Sequence, residues 1–208
     1  HGSALSGAAW SRLGGRLTAR GITWSAPDFW GCGQRPFDPP GTGPFRLGAD
    51  VQLARQALSA LGRSLVVGHS YGGAIAMQLA LETPEITDGL LLFEPAVVRV
   101  LREARDPEWA AVSALMQDDA VFDVARFVDF WSEPGGFQRL PLGEQARVLA
   151  LAPAVEREVR ALMDSPLTLA DDARIPGPVW LVGGEQSPAP AKALLKQLEL
   201  LGRFADKV

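Results

Sequence analysis

Arg63 to Glu82 reads RSLVVGHSYGGAIAMQLALE, in which a short apolar run enters Gly68-His69-Ser70-Tyr71-Gly72-Gly73 and a helix-forming segment leaves it. Leu65, Val66 and Val67 are a β-branched-rich run suited to a strand buried on both faces. Ala74, Ile75, Ala76, Met77, Leu79, Ala80 and Leu81 favour helix. Between them stands G-x-S-x-G. A strand-to-helix turn this tight strains the serine backbone and brings neighbouring chain close, so glycines must flank it. Ser70 Oγ is thereby predicted to project from the strand end.

Outward from this stretch the chain keeps alternating. On the N-terminal side, Trp10, Leu13 and Leu17 are spaced for a helix within Gly7 to Arg20, which Gly21 ends. Ile22 to Ser25 is a short strand candidate. A loop rich in Gly and Pro runs from Ala26-Pro27-Asp28 through Gly43-Pro44, and loops of this length are usually functional or mobile. Leu47, Val51, Ala54, Leu58 and Leu61 hold the helical period up to Gly62, with Asp50 and Arg55 read as the solvated face. On the C-terminal side, Thr83-Pro84 breaks the helix and Gly89 to Phe93 is a second buried strand ending at Glu94-Pro95. A carboxylate there lies at the sheet edge where ligands bind in open α/β folds. From Ala96 to Thr168 the patterns are all helical. Val121, Val124, Val128 and Trp131 form one face behind possible caps at Asp118 and Asp119, and Val155, Val159 and Leu162 form another, opened by Pro153. Val179 to Val182 returns to strand, and Ala191, Leu194, Leu198 and Leu201 follow in helical register. The fold class predicted is α/β, a mostly parallel sheet covered by helices on both faces with an all-helical insertion. The divisions are residues 1–95, 96–168 and 169–208.

Composition narrows the chemistry. With 208 residues one substantial core is expected, and a net charge of -4 leaves no electrostatic footprint for nucleic acid. The single cysteine, Cys32, and only two histidines leave nothing resembling a zinc site. One cysteine cannot make an internal disulfide, so a cytoplasmic location is the default; no apolar run approaches a membrane span and no signal pattern opens the chain. The chain opens on His1-Gly2-Ser3 without methionine and stops at Phe204-Ala205-Asp206-Lys207-Val208, where a new apolar run starts. It reads as an excerpt, which leaves any upstream signal or anchor open.

With strand, serine turn and helix together, the chain resembles the α/β-hydrolase superfamily along its whole length. His1-Gly2-Ser3 looks like the segment after that family's third strand. Ala26-Pro27-Asp28 with Gly31-x-Gly33 resembles its fourth-strand loop, Gly68 to Gly72 its nucleophile elbow, and residues 96–168 its helical lid. The resemblance implies Ser70 as nucleophile and the backbone N–H groups of Ser3 and Tyr71 as the oxyanion hole. A serine hydroxyl needs a base to remove its proton, and the oxyanion needs preorganised donors. The implied base is a histidine downstream of Val208, with His1 and His69 packed in structural places. For the acid, Ser187 stands where many members carry Asp in a G-E-x-D pattern. Glu94 matches relatives that take the acid from the end of the sixth strand, and is preferred over Glu185 as the alternative. A serine at position 70 points away from the carboxylate-nucleophile chemistries of dehalogenases and epoxide hydrolases.

The expectation is a hydrolase of carboxylic esters or similar small, apolar carbonyl substrates working through an acyl-enzyme. No metal or organic cofactor is required, and oligomeric state is not indicated. Trp109, Met116, Phe122, Phe127, Phe130, Trp131 and Phe137 are available to line an apolar pocket, although most are read as lid core. The alternatives on the same scaffold are a carbon-carbon bond hydrolase, a perhydrolase of haloperoxidase type, a hydroxynitrile lyase, or a ligand-binding relative without catalysis. The 208 residues alone are expected to show negligible turnover for want of the base.

Overall fold

The computed structural model describes residues 1–38, 44–116, 121–168, 171 and 174–199. Among them three strands, β1 (Ser64–His69), β2 (Thr87–Phe93) and β3 (Val179–Val182), pair in parallel in the order β1-β2-β3. Helices α1 (Ser11–Thr18) and α2 (Leu47–Leu61) precede β1, and α3 (Tyr71–Glu82) crosses from β1 to β2. Between β2 and β3 the described elements are all helical: α4 (Arg99–Glu103), α5 (Glu108–Ser113), α6 (Val124–Trp131), α7 (Gly136–Arg139), α8 (Leu142–Ala150) and α9 (Ala152–Met163). Helix α10 (Ala189–Glu199) follows β3. The parallel α/β architecture with its helical insertion is the one the alternation predicts.

The centre of the molecule is α3. Tyr71, Ala74, Ile75, Ala76, Met77, Leu79 and Ala80 are all buried, so this helix is apolar on most of its circumference, as a core helix must be, with Gln78 and Glu82 paired on its one exposed edge. Leu90 and Leu92 of the central strand β2 are fully buried in the same cluster, each worth about 1.5–3 kcal/mol of apolar burial. A second cluster joins Val124, Phe137, Val148, Val155 and Val159 of the insertion to Ala4. The insertion therefore packs both on itself and on the N-terminal segment.

Several local expectations are corrected. Ile22 to Ser25 is not a strand: the Ile22 N–H closes the end of α1 on the Leu17 carbonyl, and Trp24 donates its indole N–H to Thr18 Oγ1 at 3.0 Å. The segment is bound to α1 rather than to a neighbouring strand. Gly14, which weakens the helix on propensity, is the site of that packing, since a Cβ there would stand 2.1 Å from the Trp24 ring. The helix expected from Gly7 starts as a 3-10 turn over Gly7–Trp10. Strand β1 is not buried on both faces. It is paired on one side only among the described residues, and Leu65 is exposed. Asp50 is buried, not solvated. The cap of α6 is Asp123, whose carboxylate accepts the N–H groups of Ala125 at 2.9 Å and Arg126 at 3.1 Å. Asp118 and Asp119 lie outside the described residues, as does Leu201, and Val121 precedes the helix as an exposed residue.

Candidate active site

The serine turn is held from three sides. Ser70 has φ 51° and ψ -118° at the head of α3, a conformation that L residues avoid. Its N–H donates to the Phe93 carbonyl at 2.9 Å, and its own carbonyl accepts the N–H groups of Gly73 and Ala96, each at 2.9 Å. The glycines answer close approaches. A Cβ on Gly68 would meet the Gly72 carbonyl oxygen at 2.5 Å, one on Gly72 the His1 carbonyl oxygen at 2.6 Å, and one on Gly73 the Pro95 ring at 2.6 Å. A tight strand-to-helix turn at the carboxyl end of a parallel strand thus presents Ser70, half-buried, at the N-terminus of a buried helix. The helix dipole there favours negative charge.

The segment His1–Ala4 lies directly against this turn. The Gly72 N–H donates to the His1 carbonyl at 2.9 Å, and a Cβ on Gly2 would stand 2.9 Å from His69 Nδ1 and 3.3 Å from Ser70 Cβ. Neither the Ser3 N–H nor the Tyr71 N–H makes a hydrogen bond among the described residues. Ala4, at φ 60°, is held by Arg147 of α8, whose Nη1 donates to the Ala4 carbonyl at 2.7 Å. Both histidines are packed. His1 Nε2 accepts the Phe29 N–H at 3.2 Å, so its proton resides on Nδ1 and is donated to the Gly2 carbonyl at 3.0 Å. Both of its nitrogens are committed. His69 ends β1, and burial pushes its imidazole below the usual histidine range.

Glu94 follows β2 with φ 43°, its N–H donating to the Val182 carbonyl of β3 at 3.0 Å. Its carboxylate Oε1 accepts the Gly184 N–H at 3.0 Å and the Ser187 hydroxyl. Glu185 in the same turn is exposed. Of the four non-glycine residues at positive φ among the described residues, three are Ala4, Ser70 and Glu94. Backbone strain of this kind, of order 1–3 kcal/mol per residue, persists where surrounding structure over-determines it and clusters at functional sites.

Behind the turn lies a buried polar group the sequence reading missed. Tyr71 donates its hydroxyl to Asp50 Oδ2 at 2.7 Å, and Asp50 Oδ1 accepts the Trp30 N–H at 2.9 Å. Cys32 Sγ donates to Oε1 of Glu158 on α9 at 3.4 Å, and the Ser3 side chain also acts on this carboxylate. Burial raises the Asp50 carboxyl and lifts Glu158 to about 7. Burial likewise pushes the Tyr71 hydroxyl and the Cys32 thiol up. Beside them Arg157, also on α9, is stacked between Phe37 and Phe45, 4.1 Å from each ring centroid, and donates to the Trp30 and Phe37 carbonyls.

An apolar cavity of about 290 Å³ is lined by His1, Leu5, Ala9, Trp10, His69 and Phe93; His69, next to the serine in sequence, lines it and Ser70 itself does not. The insertion aromatics do not line it. Trp109, Phe130 and Trp131 pack on the main core, and Phe122, Phe127 and Phe137 belong to the second cluster. Among the described residues no group of three or more His, Cys, Asp and Glu is arranged to hold a metal ion, and no helix is long and apolar enough to cross a membrane.

The model of the alpha/beta hydrolase family matches residues 1–206, and the chain belongs to that family. Lipase LipV of Mycobacterium tuberculosis is 40% identical over 99 residues, which are 47% of this chain and 36% of that protein. The chain thus spans little more than a third of that curated relative. Among solved structures, the 2-hydroxy-6-oxo-6-phenylhexa-2,4-dienoate hydrolase of Rhodococcus sp. strain RHA1 superposes with a TM-score of 0.67 at 23% identity, covering 100% of this chain and 78% of that one. A hydrolase from Pseudomonas aeruginosa gives a TM-score of 0.66 at 21% identity, over 99% and 77% of the two chains. Likenesses at this identity establish the fold.

Proposed function

We propose that the protein is a serine hydrolase acting on a carboxylic ester or similar small apolar carbonyl compound through an acyl-enzyme. The observation that carries this reading is Ser70, strained at the head of α3, with Gly2 of the N-terminal segment packed against it; the N–H groups of Ser3 and Tyr71, neither of which makes a hydrogen bond among the described residues, are assigned as the oxyanion donors. In the proposed reaction Ser70 Oγ attacks the carbonyl carbon, and its proton passes to a histidine that the resemblance assigns downstream of Val208. The carbonyl oxygen takes the negative charge against the two N–H groups, each such donor being worth roughly 3–4 kcal/mol to the transition state. Collapse expels the alcohol with the proton returned to it; a water that gives its proton to the same histidine then attacks the acyl carbon, the bond to Ser70 Oγ breaks with that proton returned to the serine, and the acid is released.

Glu94 is assigned as the acid that accepts the other imidazole N–H and fixes its tautomer. It is half-buried at the strand end next to Ser70, whereas Glu185 is exposed. The apolar cavity supports an apolar group on the substrate, and the 40% identity to a lipase over 99 residues supports ester chemistry. Residues 96–168 are assigned as a lid over this edge.

The test uses the full-length protein with short activated esters and a fluorophosphonate probe. Ser70→Ala is expected to abolish labelling and lower turnover by a factor of at least about 10³. Labelling that persists in the variant would overturn the assignment of the nucleophile.

A further inference from the structure

Ser187 stands in the turn between β3 and α10, and its hydrogen bonds form a closed set. Its N–H donates to the Gly184 carbonyl at 3.1 Å, its Oγ accepts the Gly184 N–H at 3.0 Å, and its hydroxyl proton goes to Glu94 Oε1. The Gly184 N–H also reaches Oε1, at 3.0 Å. A hydroxyl has one proton to give; with Gly184 occupying an Oγ lone pair, that proton points at the carboxylate. Both donors converge on one oxygen, and Glu94 Oε2 accepts no hydrogen bond among the described residues. The main chain of Glu94 is pinned to the same strand through Val182. The carboxylate is therefore gripped on one oxygen by the β3–α10 turn and open on the other.

We propose that Ser187 is a positioning residue: its hydroxyl, with the Gly184 N–H, fixes Oε1 of Glu94 and so aims Oε2 at the imidazole N–H that orients the catalytic base. This rests on the reading of Glu94 as the orienting acid. A bond from a neutral hydroxyl to a carboxylate restrains its rotation and drains part of its charge. Without it the acid swings more freely and holds an imidazolium proton more firmly.

The experiment compares Ser187→Ala, Ser187→Thr, Ser187→Cys, Glu94→Gln and Glu185→Gln in the full-length protein, reading kcat, KM, the pH profile of kcat/KM and the melting temperature. Expected for Ser187→Ala is a roughly tenfold loss in kcat at unchanged KM, with the acidic limb of the profile moved to higher pH. Ser187→Thr, which keeps the hydroxyl, restores both. Ser187→Cys keeps the volume with a weaker donor and gives the same shift at smaller size, so the expectation is readable even if the alanine variant fails to fold. Glu94→Gln loses orders of magnitude and Glu185→Gln none. The proposal is overturned if Glu94→Gln is crippled while Ser187→Ala and Ser187→Cys keep the wild-type limb, or if their only change is in melting temperature. Wild-type turnover in Glu94→Gln overturns the acid assignment itself, and Ser187 with it.

Discussion

Gly73 shows how closely the serine turn is fitted. The G-x-S-x-G pattern accounts for Gly68 and Gly72, yet the third glycine is equally required, because a Cβ there would lie 2.6 Å from Cβ and 2.7 Å from Cα of Pro95. Pro95 cannot retreat easily, since its neighbour Ala96 donates to the Ser70 carbonyl and Glu94 is bonded to β3. Gly73→Ala is expected to cost about 1–3 kcal/mol by overpacking, read as a shift of urea midpoint at unchanged slope; wild-type stability would mean that the Pro95 loop yields. At this scale the sequence was legible where a motif has a mechanical cause. The serine and its flanking glycines could be found because the turn demands them. Asp50 was misread as solvated, although the signal was present: it falls at i+3 from Leu47 and one before Val51, on the apolar stripe of α2. Glu158 repeats the pattern between Val155 and Val159 on α9. A charge at core spacing is a buried group that needs partners, and only three-dimensional contact reveals that those partners are Tyr71 and Cys32.

Among the elements, α8 and α9 bind the insertion to the site itself. Arg147 of α8 donates to the carbonyl of strained Ala4, one residue beyond the proposed oxyanion donor Ser3, and Arg157 of α9 ties the loop carrying Trp30 and Phe37. Arg147→Ala is expected to lower kcat/KM roughly three- to tenfold, less than the roughly 1.5–3 kcal/mol of a hydrogen bond from a charged group, because nearly half its side chain is open to water. The melting temperature should move by no more than about 4 °C for each kcal/mol lost. An unchanged kcat/KM on activated esters would detach Arg147 from the proposed oxyanion segment. Such ties were not legible in the sequence. The helical periods of the insertion were, because they obey local spacing, but a guanidinium reaching across to residue 4 leaves no local pattern. The strand expected at Ile22 to Ser25 failed for a related reason: a strand is defined by its neighbour, and Trp24 found α1 instead.

Taken whole, the molecule carries a buried carboxyl whose ionisation opposes folding. Desolvation raises Glu158 from the ordinary 4.5 to about 7 and Asp50 adds to the rise, against the pull of Ser3, Cys32 and Arg157. Between those two values the folded chain holds a proton that the unfolded chain has released, so stability falls as pH rises from about 4.5 to 7 and is level above. Glu158→Gln removes this dependence. The variant is expected to gain on the wild type across that interval by up to about 3 kcal/mol in urea unfolding, and a constant difference between pH 5 and 8 would show that Glu158 stays ionised in the fold. The parallel architecture was the most legible property of all, since alternation of two periods is spread over the entire chain. Its consequence reaches into how the chain folds. β1, α3 and β2 are contiguous, but β3 pairs with β2 only after the whole insertion has been made. Closing so long a loop adds little at equilibrium, about 0.6 kcal/mol per doubling of length, and weighs instead on rate. The order of the chain therefore sets the two halves of the site apart: the serine turn is built from near neighbours in sequence, and the grip on Glu94 waits for β3, beyond the insertion.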